Sequence, residues 1–173
     1  DALKVPKTMV VRFGFMKLVG EFPYQGAEKP GCGSKIVVKT HRGTEIGEML
    51  TSTCPNSGCS KSVSRKDMLE YIQNSGGRDY PFFEHGRALR VATPDDMEAQ
   101  ARIEQSKHAL RLKAKAIAAR VGFPAKIVEV EPILGGEQTS VYYHAEERIN
   151  LSDIAPALQQ ELGTRIDLRQ VGA

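Results

Sequence analysis

The chain has 173 residues, of which 40% are hydrophobic and 26% charged, with a formal net charge of +3. This is ordinary globular composition, which excludes the disordered and fibrous classes. No apolar run reaches the roughly 18 residues that a membrane span needs, because Lys17, Glu21 and similar residues interrupt each candidate. Three cysteines are too few, and odd in number, for a disulfide-stapled secreted domain, so a reducing compartment, the cytoplasm, is expected. The opening Asp1-Ala2-Leu3-Lys4 has neither an initiator Met nor a hydrophobic leader, and the chain is expected to be processed or trimmed there.

From Thr8 to Leu50 the text reads as short strands and turns. Met9 to Phe15 is apolar with one Arg, and Gly14, Gly20, Pro23, Gly26, Pro30, Gly31 and Gly33 mark successive turns as far as the next apolar run. Lys35 to Thr40 is β-branched, and His41-Arg42-Gly43 supplies a turn from which Thr44 to Leu50 returns, a hairpin predicted to have a longer loop. Residues 1–50 are therefore expected to form a β-rich unit. Residues 51–86 are rich in Ser, Asn, Gly, Cys and Lys and read as an insertion or hinge, with one short helix over Ser64 to Gln73.

After Arg87 the pattern becomes regular. Ala88 to Ala92 reads as a short strand, and Thr93-Pro94-Asp95-Asp96 is a strong helix start, with a Thr cap, Pro in the first turn and two acids facing the helix dipole. Ile103, Leu110, Ala114, Ile117 and Val121 form one stripe of 3.6-residue period, so a helix is predicted over Pro94 to Val121, ended by Gly122 and Pro124. Lys126 to Leu134 and Thr139 to Ala145 are predicted strands joined through Gly135-Gly136. Ser152 is expected to cap a helix over Asp153 to Leu162, which Gly163 stops, and Arg165 to Val171 is the last predicted strand. The fold class is α+β: a β-rich amino-terminal half followed, over 87–173, by a ferredoxin-like half, βαββαβ or, if the first strand joins the amino-terminal unit, αββαβ.

Three stretches are more specific than any periodicity: Gly33 to Glu48 (GSKIVVKTHRGTEIGE), Arg90 to Asp96 (RVATPDD) and Thr164 to Gly172 (TRIDLRQVG). They resemble the bacterial YaaT/RicT-like family, whose shared part is the conserved carboxy-terminal region of the yeast polymerase suppressor protein. The resemblance covers Met9 to Ala173 apart from Thr51 to Gly86. It implies a non-enzymatic cytoplasmic adaptor or regulatory subunit that joins small protein partners in a complex linked to RNA maturation or developmental regulation. Such complexes can carry an iron–sulfur cluster, and trypanosomatid relatives bind nucleic acid. The usual bacterial member continues into a cysteine-rich tail; iron–sulfur ligation by such a tail is not carried over to a sequence that stops at Ala173.

A few constellations bear on chemistry. Cys54 and Cys59 form a C-x4-C loop, with Cys32 in another glycine-rich loop. Thiolates suit zinc or an iron–sulfur cluster, but three ligands are one short, and His41, His85 or a partner residue would have to complete the set. No cofactor is therefore expected, with iron–sulfur or zinc at Cys32, Cys54 and Cys59 as the alternative. The histidines His41, His85, His108 and His144 sit in no nucleophile signature, and Glu45 and Glu48 face opposite ways on their strand. Gly31-Cys32-Gly33-Ser34-Lys35 lacks P-loop spacing. No enzyme is expected.

Two surfaces remain. Lys107, Arg111 and Lys115 are four apart and share a helix face in a segment, Ser106 to Arg120, without an acid. They either complement the helix dipole or contact phosphates of a nucleic acid. On the last strand Ile166 and Leu168 point one way and Arg165, Asp167 and Arg169 the other. With Val141, Tyr143 and Ala145 facing the core, Tyr142 and His144 are expected on the outer side. Arg165, Arg169, Tyr142 and His144 then make either a solvated face or an Arg/Tyr binding surface. The family resemblance favours the binding surface, with protein as first partner and RNA as second, and without membrane insertion.

Overall fold

The computed structural model describes residues 8–24, 26, 30–31, 33–50 and 86–172. Cys32, Cys54, Cys59, His85 and the helix expected over Ser64 to Gln73 lie outside the described residues. The chain divides into two units, Asp1–Met97 and Glu98–Ala173.

The first unit is built on strands β1 (Thr8–Phe13), β2 (Leu18–Pro23), β3 (Lys35–Thr40), β4 (Gly43–Leu50) and β5 (Arg87–Val91). They form one sheet in the order β2-β1-β4-β3-β5. Alternation sends Met9, Val11 and Phe13 to one face, where they pack with Phe22, Ile36, Val38 and Ala88. Burying each such large side chain stabilises the fold by about 1.5–3 kcal/mol. A parallel bridge between Tyr24 and Ala88 brings the end of β2 to β5, so the sheet curls toward closure.

In this unit one alternative left open by the sequence is realised, and one expectation is corrected. The strand read as the optional start of the second half, β5, pairs antiparallel with β3, so the β-rich unit runs past the break expected at residue 86. The β3–β4 hairpin is tight: Thr40 pairs with Gly43 and leaves only His41 and Arg42 in the loop. Gly43, with φ of 128°, serves as both turn residue and first strand residue, so no further loop residue is needed.

Arg42 closes one end of this core. Its Nε donates to Glu45 Oε2 at 3.1 Å, its Nη2 donates to Glu45 Oε1, and Thr40 Oγ1 donates to Glu45 Oε2 at 2.7 Å. The guanidinium lies 5.9 Å from the Phe13 ring centroid, and the two charged side chains are 2% and 5% exposed. Gly14 allows this approach, since a Cβ there would come within 2.8 Å of Arg42 Nη2.

The second unit takes most of helix α1 (Pro94–Arg120), then strands β6 (Lys126–Pro132) and β7 (Gln138–His144), helix α2 (Ile154–Leu162) and strand β8 (Arg165–Val171). The order is αββαβ, the second of the two arrangements expected. The sheet runs β6-β7-β8, with β6–β7 antiparallel and β7–β8 parallel. Because β5 belongs to the other sheet, β8 pairs directly with β7 and no strand separates them. Ala114, Ile117 and Ala118 of α1 and Ile154 and Leu158 of α2 pack on Ile127, Val130, Val141 and Tyr143. Helix α1 ends as its sequence predicts: Phe123 N–H donates to Ala118 O at 2.8 Å and Gly122 N–H to Ala119 O at 3.2 Å, the paired bonds of a Schellman end.

The start of α2 differs from expectation. Its N-cap is Asp153, which makes no side-chain capping bond, and Ser152 N–H instead donates to Asn150 Oδ1 at 2.9 Å. A turn at Ser152 and Asp153, not a side-chain cap, leads the chain into this helix.

Candidate functional site

The helix signal at Thr93 closes a reciprocal capping box. Asp96 N–H donates to Thr93 Oγ1 at 3.1 Å, and Thr93 N–H donates to Asp96 Oδ2 at 2.9 Å, so an Asp does here what a Glu usually does. Sequence reading missed Arg90, whose guanidinium grips the same carboxylate. That hydrogen bond holds the Asp96 carboxyl well below the usual carboxylate range; burial opposes it and the bonds from Thr93 assist it. This cluster is architectural.

The outer face of the β6-β7-β8 sheet carries the polar groups. Strand β8 pairs with β7 from Gln138↔Arg165 to His144↔Val171 without a register shift, which sets Arg165, Asp167 and Arg169 beside Gln138, Ser140 and Tyr142. Arg165 is exposed. Arg169 is half-buried, and its Nε donates to Asp167 Oδ2 at 2.8 Å. His144 is exposed at the strand end, where its ring stands over Gly172: a Cβ there would lie 2.8 Å from His144 Nε2, and Gly172 has φ of +86°.

Tyr142 departs from the expected open position. It is 2% exposed, and its hydroxyl donates to Glu131 Oε1 at 2.8 Å. It belongs to the central strand, between Glu129 on β6 and Arg169 on β8. Alternation gave the correct face but said nothing of the cover that neighbouring side chains provide. Tyr142 is therefore a buried link in a polar row that includes Ser140 and Glu131, both buried, rather than a stacking platform. Glu131 escapes a reading of the sequence; the available signal is its acid alternating with Val128 and Val130 in a strand.

On α1 the three cations do not form one straight line of open charge. Lys107 Nζ donates to Glu104 Oε1 at 3.1 Å and has a side chain only 18% exposed. Arg111 Nη2 lies 3.1 Å from His108 Nδ1, and Lys115 is exposed. A step of four residues rotates about 40° around a helix, which carries the row from the core flank at Lys107 to solvent at Lys115. Arg120 pairs with Glu161 of α2 at 3.5 Å.

Among the described residues no cluster of three or more His, Cys, Asp or Glu is placed to hold a metal ion. No helix among them is long and apolar enough to cross a membrane. Compared with known proteins, residues 86–171 match the family described as the PSP1 C-terminal conserved region. No curated protein and no solved structure matches the chain.

Proposed function

Because the chain belongs, through residues 86–171, to the PSP1 C-terminal conserved region family, we propose that it is a non-enzymatic adaptor or regulatory subunit that docks small protein partners in the cytoplasm. The complex is one linked to RNA maturation or developmental regulation, as the resemblance to YaaT/RicT-like proteins implies. One observation carries the reading. Arg165 and the Asp167–Arg169 pair share one face of β8, while Ile166 and Leu168 on its other face pack on the core. Charge on that face is not needed to build the strand, and a rigid sheet holds it in fixed positions, as a docking surface requires. The reading assigns the chain no catalysis and no cofactor. The test is capture of protein partners from native cytoplasm by wild type and by R165E/R169E, each repeated after nuclease treatment.

A second reading, direct binding of RNA or single-stranded nucleic acid, is favoured by the second half of α1, where Ser106 to Arg120 contains five cations and no acid; Lys107 and Arg120 pair with Glu104 and Glu161 outside that segment, which leaves Arg111, Lys113 and Lys115 as the cations for phosphate. Binding of a fluorescent single-stranded RNA that falls steeply with salt, and is lost in K107E/R111E/K115E, would support it.

A further inference from the structure

Strand β8 has a second edge. On one side it pairs with β7 along all seven residues; among the described residues no strand pairs with the other side. The Val171 carbonyl accepts from Ala145 N–H at 3.2 Å, which puts it on the β7 side. Backbone groups alternate along a strand, so the N–H and C=O groups of Ile166, Leu168 and Gln170 point to the open edge. This edge is long and free of proline, and no register shift interrupts its pairing with β7. These are features that native proteins avoid at an edge left unpaired.

The charge order along the edge is self-complementary. When two copies of Arg165–Val171 run antiparallel and are centred on Leu168, every residue has a partner. Asp167 of each copy falls opposite Arg169 of the other, Leu168 opposite Leu168, and Ile166 opposite Gln170. The pairs centred on Leu168 and on Ile166 with Gln170 are the hydrogen-bonded ones. That leaves Asp167 and Arg169 at the non-hydrogen-bonded positions, where facing side chains come closest. Asp167 and Arg169 already share the outer face within one strand, so the cross-strand bridge needs only a change of partner. A register one residue away would move each residue's partner and lose both charge pairs.

We propose that β8 pairs antiparallel with β8 of a second copy of this chain, centred on Leu168, to make a two-fold dimer with a continuous six-stranded sheet. The contact is isologous and closes on itself. It is also small, so the dimer is reversible and concentration-dependent. Half-buried Ile166 and Leu168 gain cover on the core face, and Arg165 and Arg169 of both copies line one common outer face. The inference holds whether or not the adaptor reading is correct.

Sedimentation equilibrium and hydrogen exchange on the full chain test it together. Wild type should reach twice the 19.0 kDa chain mass as concentration rises. The amides of Ile166, Leu168 and Gln170 should gain protection over the same range, while those of Asp167 and Arg169, in the β7 ladder, stay protected throughout. D167R and R169D each set like charges face to face and should weaken association about tenfold or more, whereas the swap D167R/R169D should restore it. A wild type that stays monomeric, protection at Leu168 that is independent of concentration, or a swap that fails to restore association would overturn the proposal. Should a single variant lose its fold by circular dichroism, the wild-type exchange data and the swap still decide.

Discussion

Arg90 of β5 and Asp96 of α1 meet through two parallel hydrogen bonds, Nε to Oδ2 at 2.9 Å and Nη2 to Oδ1 at 2.8 Å, so the carboxylate that completes the helix cap also ties the helix start to the preceding strand. Removing the cap hydroxyl in Thr93→Ala should cost about 1 kcal/mol. The Asp96 carboxyl is depressed below its unfolded value, so its contribution is fully present above about pH 4, where the unfolded carboxyl is ionised, and is lost as the pH falls toward the folded value. Urea midpoints of wild type and Asp96→Asn should therefore differ at neutral pH and converge in acid. An unchanged midpoint in both variants at neutral pH would refute the cap.

Replacing Glu45 by Ala removes the carboxylate that neutralises a guanidinium only 2% exposed. The expected loss is about 3–5 kcal/mol. The double replacement R42M/E45L, which removes both charges and keeps apolar volume, should cost much less. Urea denaturation of the two variants reads this directly, and equal losses would show that the pair is not what sets the energy.

Tyr142→Phe keeps the ring and removes the hydroxyl that Glu131 accepts from at 2.8 Å. A bond to a charged acceptor contributes about 1.5–3 kcal/mol, so thermal stability should fall by a corresponding amount. Partner capture, scaled to the folded fraction, should not change. Lost capture with unchanged stability would return Tyr142 to the binding surface.

Much of this architecture is legible in the sequence because it is local. Helix α1 declares itself through Thr93, Pro94 and Asp96 at one end and Gly122 at the other, and β8 through the alternation of Arg165 to Arg169, which Gln170 then breaks. The features that escape such a reading are non-local. No pattern in Arg87 to Val91 says which sheet it will join; that depends on pairing with β3, some fifty residues earlier. The burial of Tyr142 depends on flanking strands on both sides, and the grip of Arg90 on Asp96 depends on how β5 approaches the helix. Of the expected surface, Arg165 and His144 emerge exposed and Arg169 half-buried beside Asp167, because alternation fixes a side chain's face but not its cover.

The cysteine set Cys32, Cys54 and Cys59 is one thiolate short of a closed site. The purified chain should hold no stoichiometric zinc or iron, and C54S/C59S should melt as wild type does. Structural thiolate sites contribute large folding energy, so one metal per chain by elemental analysis, with unfolding of the double variant, would establish the site instead.

Quantitative mass spectrometry of proteins captured from nuclease-treated native cytoplasm, comparing wild type with R165E/R169E, tests the docking role of β8 most directly. Wild type should retain a stoichiometric protein partner after nuclease, and the variant, folded to within about 1 kcal/mol of wild type, should lose it. Equal capture by both forms, or capture that vanishes with nuclease, would contradict a protein-docking surface at Arg165 and Arg169.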